Sequence, residues 1–191
     1  LIYRSDHEED WAVATLSTQD IEQHLIRFGE ISQHQSNFQP IDMALSRYDR
    51  QRFSIVGRPT EAATNAKSLN RIEGFNLIYV RCESQKGIGL HKHDTPEIFI
   101  PMSGSWVIGL GDEGESSVTL EPWDVLNVPP NLMHSATNVA AEAAFLMVMS
   151  TDQQGPEIFW DPKIIQEIND SGTQVPASEI PQGNLRVVGD Q

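Results

Sequence analysis

The chain has 191 residues, and its 13 Lys plus Arg against 27 Asp plus Glu give a formal net charge of -14. That length suits one domain with a modest extension. The negative charge repels phosphate backbones and anionic headgroups, so nucleic acid and membrane surfaces are disfavoured as partners. Cys82 is the single cysteine, which excludes an intrachain disulfide and a thiolate metal cluster. Together with the absence of a recognisable secretory leader, it predicts a cytoplasmic protein.

The first 71 residues predict an arm and a helical extension. An acidic arm occupies residues 1–16. The segment that begins at Ser17 suits a helix N-terminus, and the apolar spacing after it predicts a helix near residues 18–29. The mixed, basic segment from Pro40 to Arg71 is assigned to solvated surface and receives no site role.

From residue 72 the texture changes to short runs rich in β-branched and aromatic residues, separated by Gly, Pro, Asn and Asp. This texture predicts an all-β architecture of the sandwich or jelly-roll kind. The predicted strands are Phe75–Cys82, Gly89–Lys92, Glu97–Met102, Ser105–Leu110, Ser117–Leu120, Asp124–Val128, Ser135–Asn138 and Ala144–Met149.

A glycine-rich string at 109–114 matches a dinucleotide-binding pattern letter for letter. The residues after it are strand-like and acidic rather than helical, so a hairpin is predicted instead. Further on, Asp161, Pro162 and Gly172 have the positions of an N-cap, a first helical residue and a terminating glycine, and they predict a short C-terminal helix.

Three histidines and a glutamate form a candidate metal-ligand set. His91 and His93 share a strand face, Glu97 can return to that face after a turn, and His134 must arrive from another strand. Imidazoles with one carboxylate suit Fe(II), Ni(II), Mn(II), Co(II), Zn(II) or Cu(II), and four protein ligands leave two positions open on an octahedral ion. Such open positions permit catalysis.

The string from His91 to Glu97, followed after six residues by Gly104, resembles the first motif of the cupin superfamily. Pro129, His134 and Asn138 match the second motif. Three glycine positions of the motifs are occupied here by other residues, namely Gln85, Trp123 and Asn131. The turn at Trp123 is expected to be built differently from the glycine turn of the motif.

The resemblance is to small bacterial single-domain cupins and covers about residues 72–150. It implies a double-stranded β-helix, the cupin jelly-roll barrel, with one divalent ion held by His91, His93, Glu97 and His134. The expected organisation is an N-terminal extension (1–71) packed on the barrel (72–150), then a C-terminal helix and tail (151–191), forming one structural domain overall.

The function expected from this resemblance is dioxygenase-like oxidation of a small enol, phenol or diketone, with Fe(II) favoured and Glu97 as catalytic base. A homodimer is expected. Non-oxidative isomerisation or decarboxylation and a non-catalytic ligand-binding role stay open as alternatives. Phe99 stands where cupin lyases of dimethylsulfoniopropionate have a catalytic tyrosine, which disfavours lyase activity. The predicted substrate pocket is Tyr79, Arg81, Phe99, Trp106, Met133 and Phe145.

Overall fold

The computed structural model describes residues 17–31, 44–57, 72–151 and 157–172. Within these ranges the chain forms two five-stranded antiparallel sheets, with strand orders β1-β2-β9-β4-β7 and β10-β3-β8-β5-β6. The strands are β1 (Gln51–Val56), β2 (Asn76–Cys82), β3 (Gly87–Lys92), β4 (Glu97–Pro101), β5 (Trp106–Leu110), β6 (Ser116–Leu120), β7 (Leu126–Val128), β8 (His134–Asn138), β9 (Ala144–Ser150) and β10 (Phe159–Trp160). This confirms the prediction of an all-β double-stranded β-helix.

All eight predicted strands are present, each within two residues at either end. The sequence did not predict β1 or β10. Strand β1 pairs with β2 and β10 pairs with β3, so the sheets extend on both sides of the 72–150 range that carries the motifs. Strand β1 begins with polar residues among basic neighbours, and β10 has only two residues, so neither offers a clear period-2 pattern.

The barrel core is built from alternate residues of both sheets. Inward side chains of β2, β4 and β9 meet those of β5 and β8 in one buried apolar cluster. Because successive strand residues alternate between faces, the intervening residues of β2 and β9 point to the outer face of the first sheet. The cluster contains Val80, Cys82, Ile88, Phe99, Trp106, Ile108, Leu120, Val128, Ala136, Ala144, Leu146 and Val148.

The predicted N-terminal helix at 18–29 is wrong in extent. Two short helices, α1 (Thr18–Gln23) and α2 (Phe28–Ile31), replace it. Phe28 packs on the outer face of the first sheet, with its ring centroid 5.3 Å from that of Phe53 and 5.5 Å from that of Phe145. The packing of Phe28 against the sheet determines the direction of the chain here more strongly than the helical spacing of the apolar residues does. The acidic arm, residues 58–71 and the C-terminal tail lie outside the described residues.

The C-terminal helix α3 (Pro162–Asp170) confirms the prediction made from its flanking residues. The Asp161 side chain accepts a hydrogen bond from the Lys163 backbone N–H at 2.9 Å. Ile164 and Ile168 pack against Leu45 and Trp160 in a second buried cluster. In the described part of the chain, no helix is both long and apolar enough to cross a membrane.

The glycine-rich string is a hairpin, as predicted. It connects β5 to β6, which pair antiparallel from Trp106↔Leu120 to Leu110↔Ser116. Gly111 and Gly114 have positive φ values of 103° and 67° within this turn. A strand follows the turn, so the helix that a dinucleotide site requires is replaced by a strand.

Candidate metal centre

Four buried residues converge at one end of the barrel. His91 lies near the end of β3 and His93 just beyond it, while Glu97 and His134 are the first residues of β4 and β8. One ligand atom from each lies within 4.8 Å of the others. The structure therefore brings together all four predicted metal ligands.

A β-bulge in β3 directs His91 inward. Ile88 pairs with Ala136 and His91 pairs with His134, so β3 has one more residue than β8 between these two pairs. Ile88 faces the core, and without the extra residue a side chain three positions later would face outward. The bulge reverses this alternation and lets His91 and Ile88 share the inner face.

Each histidine ring is fixed by a backbone carbonyl. The Nδ1 atoms of His91, His93 and His134 lie 2.7, 2.8 and 2.8 Å from the carbonyl oxygens of Gly89, Glu157 and Leu132. A carbonyl can only accept, so each Nδ1 carries the proton and donates it. All three Nε2 atoms therefore face the centre with a free lone pair, the form in which imidazole binds a metal.

The inward-facing atoms form an acceptor-rich cluster. Nε2 of His91 lies 3.1 Å from Nε2 of His93, and Nε2 of His134 lies 3.0 Å from Oε2 of Glu97. Burial, and next the neighbouring histidines, hold the pKa of His91 well below its ordinary value, which keeps this ring neutral. Two nitrogen lone pairs at such a separation repel each other unless a cation or proton lies between them. The donor set fits a divalent transition metal ion.

Two aromatic residues pack against the ligands. The ring centroid of Phe99 lies 5.6 Å from that of His134, and the centroid of Trp160 lies 5.2 Å from that of His91. Trp160 is 4% exposed, and its buried Nε1 has no hydrogen-bond partner in the described ranges. No sequence pattern predicts Trp160 at this position, because it belongs to the two-residue strand β10.

Of the six predicted pocket residues, only Phe99 is shown in contact with a ligand residue. Tyr79 and Phe145 pack with Phe53 on the outer face of the first sheet, and Arg81 points outward to Glu83, at 2.8 Å. The prediction for these three is wrong because each occupies the outward position of its strand.

Of the remaining two pocket predictions, one is corrected by the structure, and the other, for Met133, stays a prediction. Trp106 faces inward but pairs with Asn138, whereas His134 pairs with Leu110 at the other end of the same strand pair. Trp106 therefore belongs to the core at the end of the barrel opposite the ligands, and its assignment to the pocket is wrong. Met133 is half-buried and directly precedes His134.

The three motif positions where glycine is replaced keep a left-handed backbone. Gln85, Trp123 and Asn131 have φ values of 60°, 77° and 64° and are the non-glycine residues with positive φ in the described part of the chain. Gly104, which ends the first motif, has φ 64°. The expectation that Trp123 builds its turn differently is wrong, because the indole residue adopts a conformation typical of glycine.

No protein-family model matches the chain, and no curated protein matches it. Solved structures that resemble it include oxalate oxidase, with 21% identity and a TM-score of 0.45 over 59% of this chain and 55% of that one. Oxalate decarboxylase has 19% identity and a TM-score of 0.45 over 55% of this chain and 26% of that one. A cupin 2 domain-containing protein from Halorhodospira halophila has 17% identity and a TM-score of 0.46 over 74% of this chain and 84% of that one.

The two antiparallel sheets form a double-stranded β-helix, the fold that the resemblance to the cupin superfamily implies. The predicted fold is therefore confirmed, and the buried group of three histidines and a glutamate at one end of it fits a divalent metal ion.

Proposed function

We propose that this chain is a metal-dependent cupin enzyme of the dioxygenase-like type, an oxidoreductase that acts on a small enol, phenol or diketone. The observation that supports this proposal is the set of three Nε2 atoms and one carboxylate, buried together and oriented by backbone carbonyls. His91, His93, Glu97 and His134 would hold one divalent transition metal ion and would leave part of its coordination sphere for a small substrate. We propose Fe(II) as the favoured metal.

The chain's own residues have distinct roles in this proposal. A bound transition metal would supply Lewis acidity and redox activation. Glu97 would accept the acidic proton of an enol or diketone, because its carboxylate is buried beside His93 and His134, at 3.6 and 3.0 Å. Phe99 and Trp160 pack on the histidine rings and would exclude water from the reacting atoms.

The outward position of Arg81 bears on the choice among alternatives. Sugar and small-acid isomerases or decarboxylases of this kind would use cations around the ion, and Arg81 was one of two basic residues near the ligands in the sequence. It instead pairs with Glu83 outside the barrel. This removes one argument for non-oxidative chemistry.

The first test is metal content, measured by inductively coupled plasma mass spectrometry after reconstitution with Fe(II) under argon. We expect about one ion per chain in the wild type and at least a tenfold loss in His93→Ala, because removal of one ligand leaves an incomplete site. His24→Ala, at an exposed histidine of the N-terminal segment, is the matched control and keeps the wild-type content. Equal metal content in His93→Ala and the wild type would overturn the assignment of the site.

The second measurement is oxygen consumption by the iron-loaded protein with acetylacetone and with catechol. Consumption by the wild type and its loss in Glu97→Gln would support the oxidative proposal. A metal-loaded protein that consumes no oxygen with either substrate would favour the non-oxidative or ligand-binding alternatives.

The homodimer remains a prediction. It is tested by measuring the molar mass in solution, which should be twice the chain mass of 21.3 kDa.

A further inference from the structure

One row of side chains crosses the inner face of the first sheet at the level of the metal ligands. Glu97 on β4 is paired directly with Ser150 on β9, and Ser150 is paired directly with Asn76 on β2. Directly opposite residues of antiparallel strands have Cα atoms about 5 Å apart, which places Asn76 about 10 Å from Glu97 along the row. Asn76 and Ser150 thus extend the site sideways across the sheet.

The direction of Asn76 follows from its strand. Ile78, Val80 and Cys82 alternate with outward residues along β2 and belong to the barrel core or pack against it. Asn76 is two positions before Ile78, so its side chain lies on the same inner face. Asn76 is 4% exposed, and its Nδ2 atom is buried with no hydrogen-bond partner among the described residues.

A second buried donor lies next to Asn76. Ser54 on β1 pairs with Ile78, so it shares the inner face and is a diagonal neighbour of Asn76. Ser54 is 4% exposed, and its Oγ also lacks a hydrogen-bond partner in the described part of the chain. A buried polar group without a partner destabilises the fold, so two such groups on one patch require an explanation.

We propose that Asn76 and Ser54 form a substrate subsite that binds a hydrogen-bond-accepting oxygen of the small organic substrate beside the metal centre. The amide N–H and the hydroxyl both donate, so this patch selects a carbonyl, carboxylate or enolate oxygen over an apolar group. The inference rests on the proposed function and narrows its substrate class to molecules with a second acceptor oxygen besides the one that reaches the ion. The stability cost of two orphan donors is the consequence of this role.

The test compares Asn76→Leu with the wild type, because leucine keeps the approximate shape of asparagine and removes both the N–H donors and the carbonyl oxygen of the side-chain amide. Binding of acetylacetone to Co(II)-loaded protein is measured under argon by calorimetry and visible absorption, and also to metal-free protein by calorimetry. We expect the dissociation constant to rise about fivefold to tenfold in Asn76→Leu and about threefold in Ser54→Ala. Ser84→Ala is the matched control, since Ser84 donates to the Ala140 carbonyl at the opposite end of the barrel.

The second readout is the melting temperature of the metal-free protein. An asparagine that only supports the fold would lower it when replaced, whereas loss of an orphan donor raises it, here by about 2 to 4 °C in Asn76→Leu. If Asn76→Leu does not fold, Asn76→Asp replaces it, because aspartate keeps the shape but offers no N–H donor and repels an anionic oxygen.

Three results would overturn the subsite: acetylacetone binding in Asn76→Leu within twofold of the wild type, no acetylacetone binding by the wild type, or a melting temperature lowered by several degrees. Failure of the proposed function is seen separately. A wild type that binds acetylacetone through Asn76 but consumes no oxygen keeps the subsite and loses the dioxygenase activity. If the wild type consumes oxygen and Asn76→Leu binds acetylacetone as tightly as the wild type, the dioxygenase activity is kept and the subsite is lost.

Discussion

Among single residues, three motif positions retain the left-handed backbone conformation of glycine although another residue type occupies them. Gln85, Trp123 and Asn131 replace glycine at three motif positions, and each has a positive φ. Asparagine tolerates the left-handed region, but an indole side chain does not relieve its strain there. The Trp123 backbone N–H donates to the Pro101 carbonyl at 2.9 Å, so the turn is held by a hydrogen bond that does not depend on the side chain.

Trp123→Gly is therefore expected to raise the free energy of unfolding by about 1 kcal/mol, the cost of a left-handed non-glycine residue. Trp123 is 71% exposed, so little burial is lost with the side chain. Urea denaturation measures the difference, with Asn131→Gly as the control that changes little. A lower free energy of unfolding in Trp123→Gly than in the wild type would contradict the assignment of backbone strain to this position.

At the scale of elements, the sequence predicted what has a strong local signal. The eight strands from β2 to β9 have clear alternation and turn residues, and the four ligands stand at fixed spacings in the motifs. The placement of β1, β10 and α2 depends on contacts with distant residues, such as Phe28 against Phe53 and Phe145. These contacts leave no periodic signal in their own segments.

The pocket was predicted less well than the ligands for a related physical reason. Pocket lining, core and outer aromatic clusters share one composition, and only strand parity separates them. Tyr79, Arg81 and Phe145 were chosen by residue type and proved to be outward-facing. Asn76 lies an even number of residues before the core residues Val80 and Cys82, so its parity places it inside. Counting positions from a core residue is the signal in the sequence that points to Asn76, whereas Ser54 is placed inside only by its pairing with Ile78, on a strand that the sequence does not predict.

Strand β3 is the element on which the metal centre depends most closely. It runs directly against β8, and a Cβ atom at Gly87 would lie 1.9 Å from the Ala136 carbonyl oxygen. Backbone cannot yield to that contact as a flexible side chain could. The glycine therefore sets the distance between the strands that carry His91 and His134.

Gly87→Ala is expected to lower the free energy of unfolding by about 3 kcal/mol or more, as the new methyl group forces β3 away from β8. Metal content should fall with it, because the two histidines move apart. Gly29→Ala is the control, since a Cβ atom there meets nothing within 4 Å and alanine favours a helix. Wild-type stability and wild-type metal content in Gly87→Ala would contradict the assigned packing of these strands.

At the scale of the whole molecule, the Cys82 thiol reports on the integrity of the barrel. Its side chain lies in the core between the sheets, and burial raises its pKa to about 12. The thiolate is the reactive form, so the folded protein protects this cysteine twice, by exclusion of the reagent and by suppression of ionisation. Reaction with iodoacetamide should then require opening of the barrel.

The same shift of the pKa predicts how stability depends on pH. The pKa of this thiol is higher in the folded than in the unfolded chain, whose ordinary value is 9.0, so its contribution to stability is complete below pH 9 and is lost as pH rises from 9 to 12. Urea denaturation at pH 8 and pH 10.5 should show a larger loss of unfolding free energy in the wild type than in Cys82→Ala. The other titrating groups are the same in both proteins, so the difference reports on the thiol. At pH 8, alkylation of the folded protein should be at least about 1,000-fold slower than in denaturant, because the open state is rare. Equal slopes together with rapid alkylation would mean that solvent reaches the barrel interior at Cys82, which would contradict the placement of this thiol in a closed core.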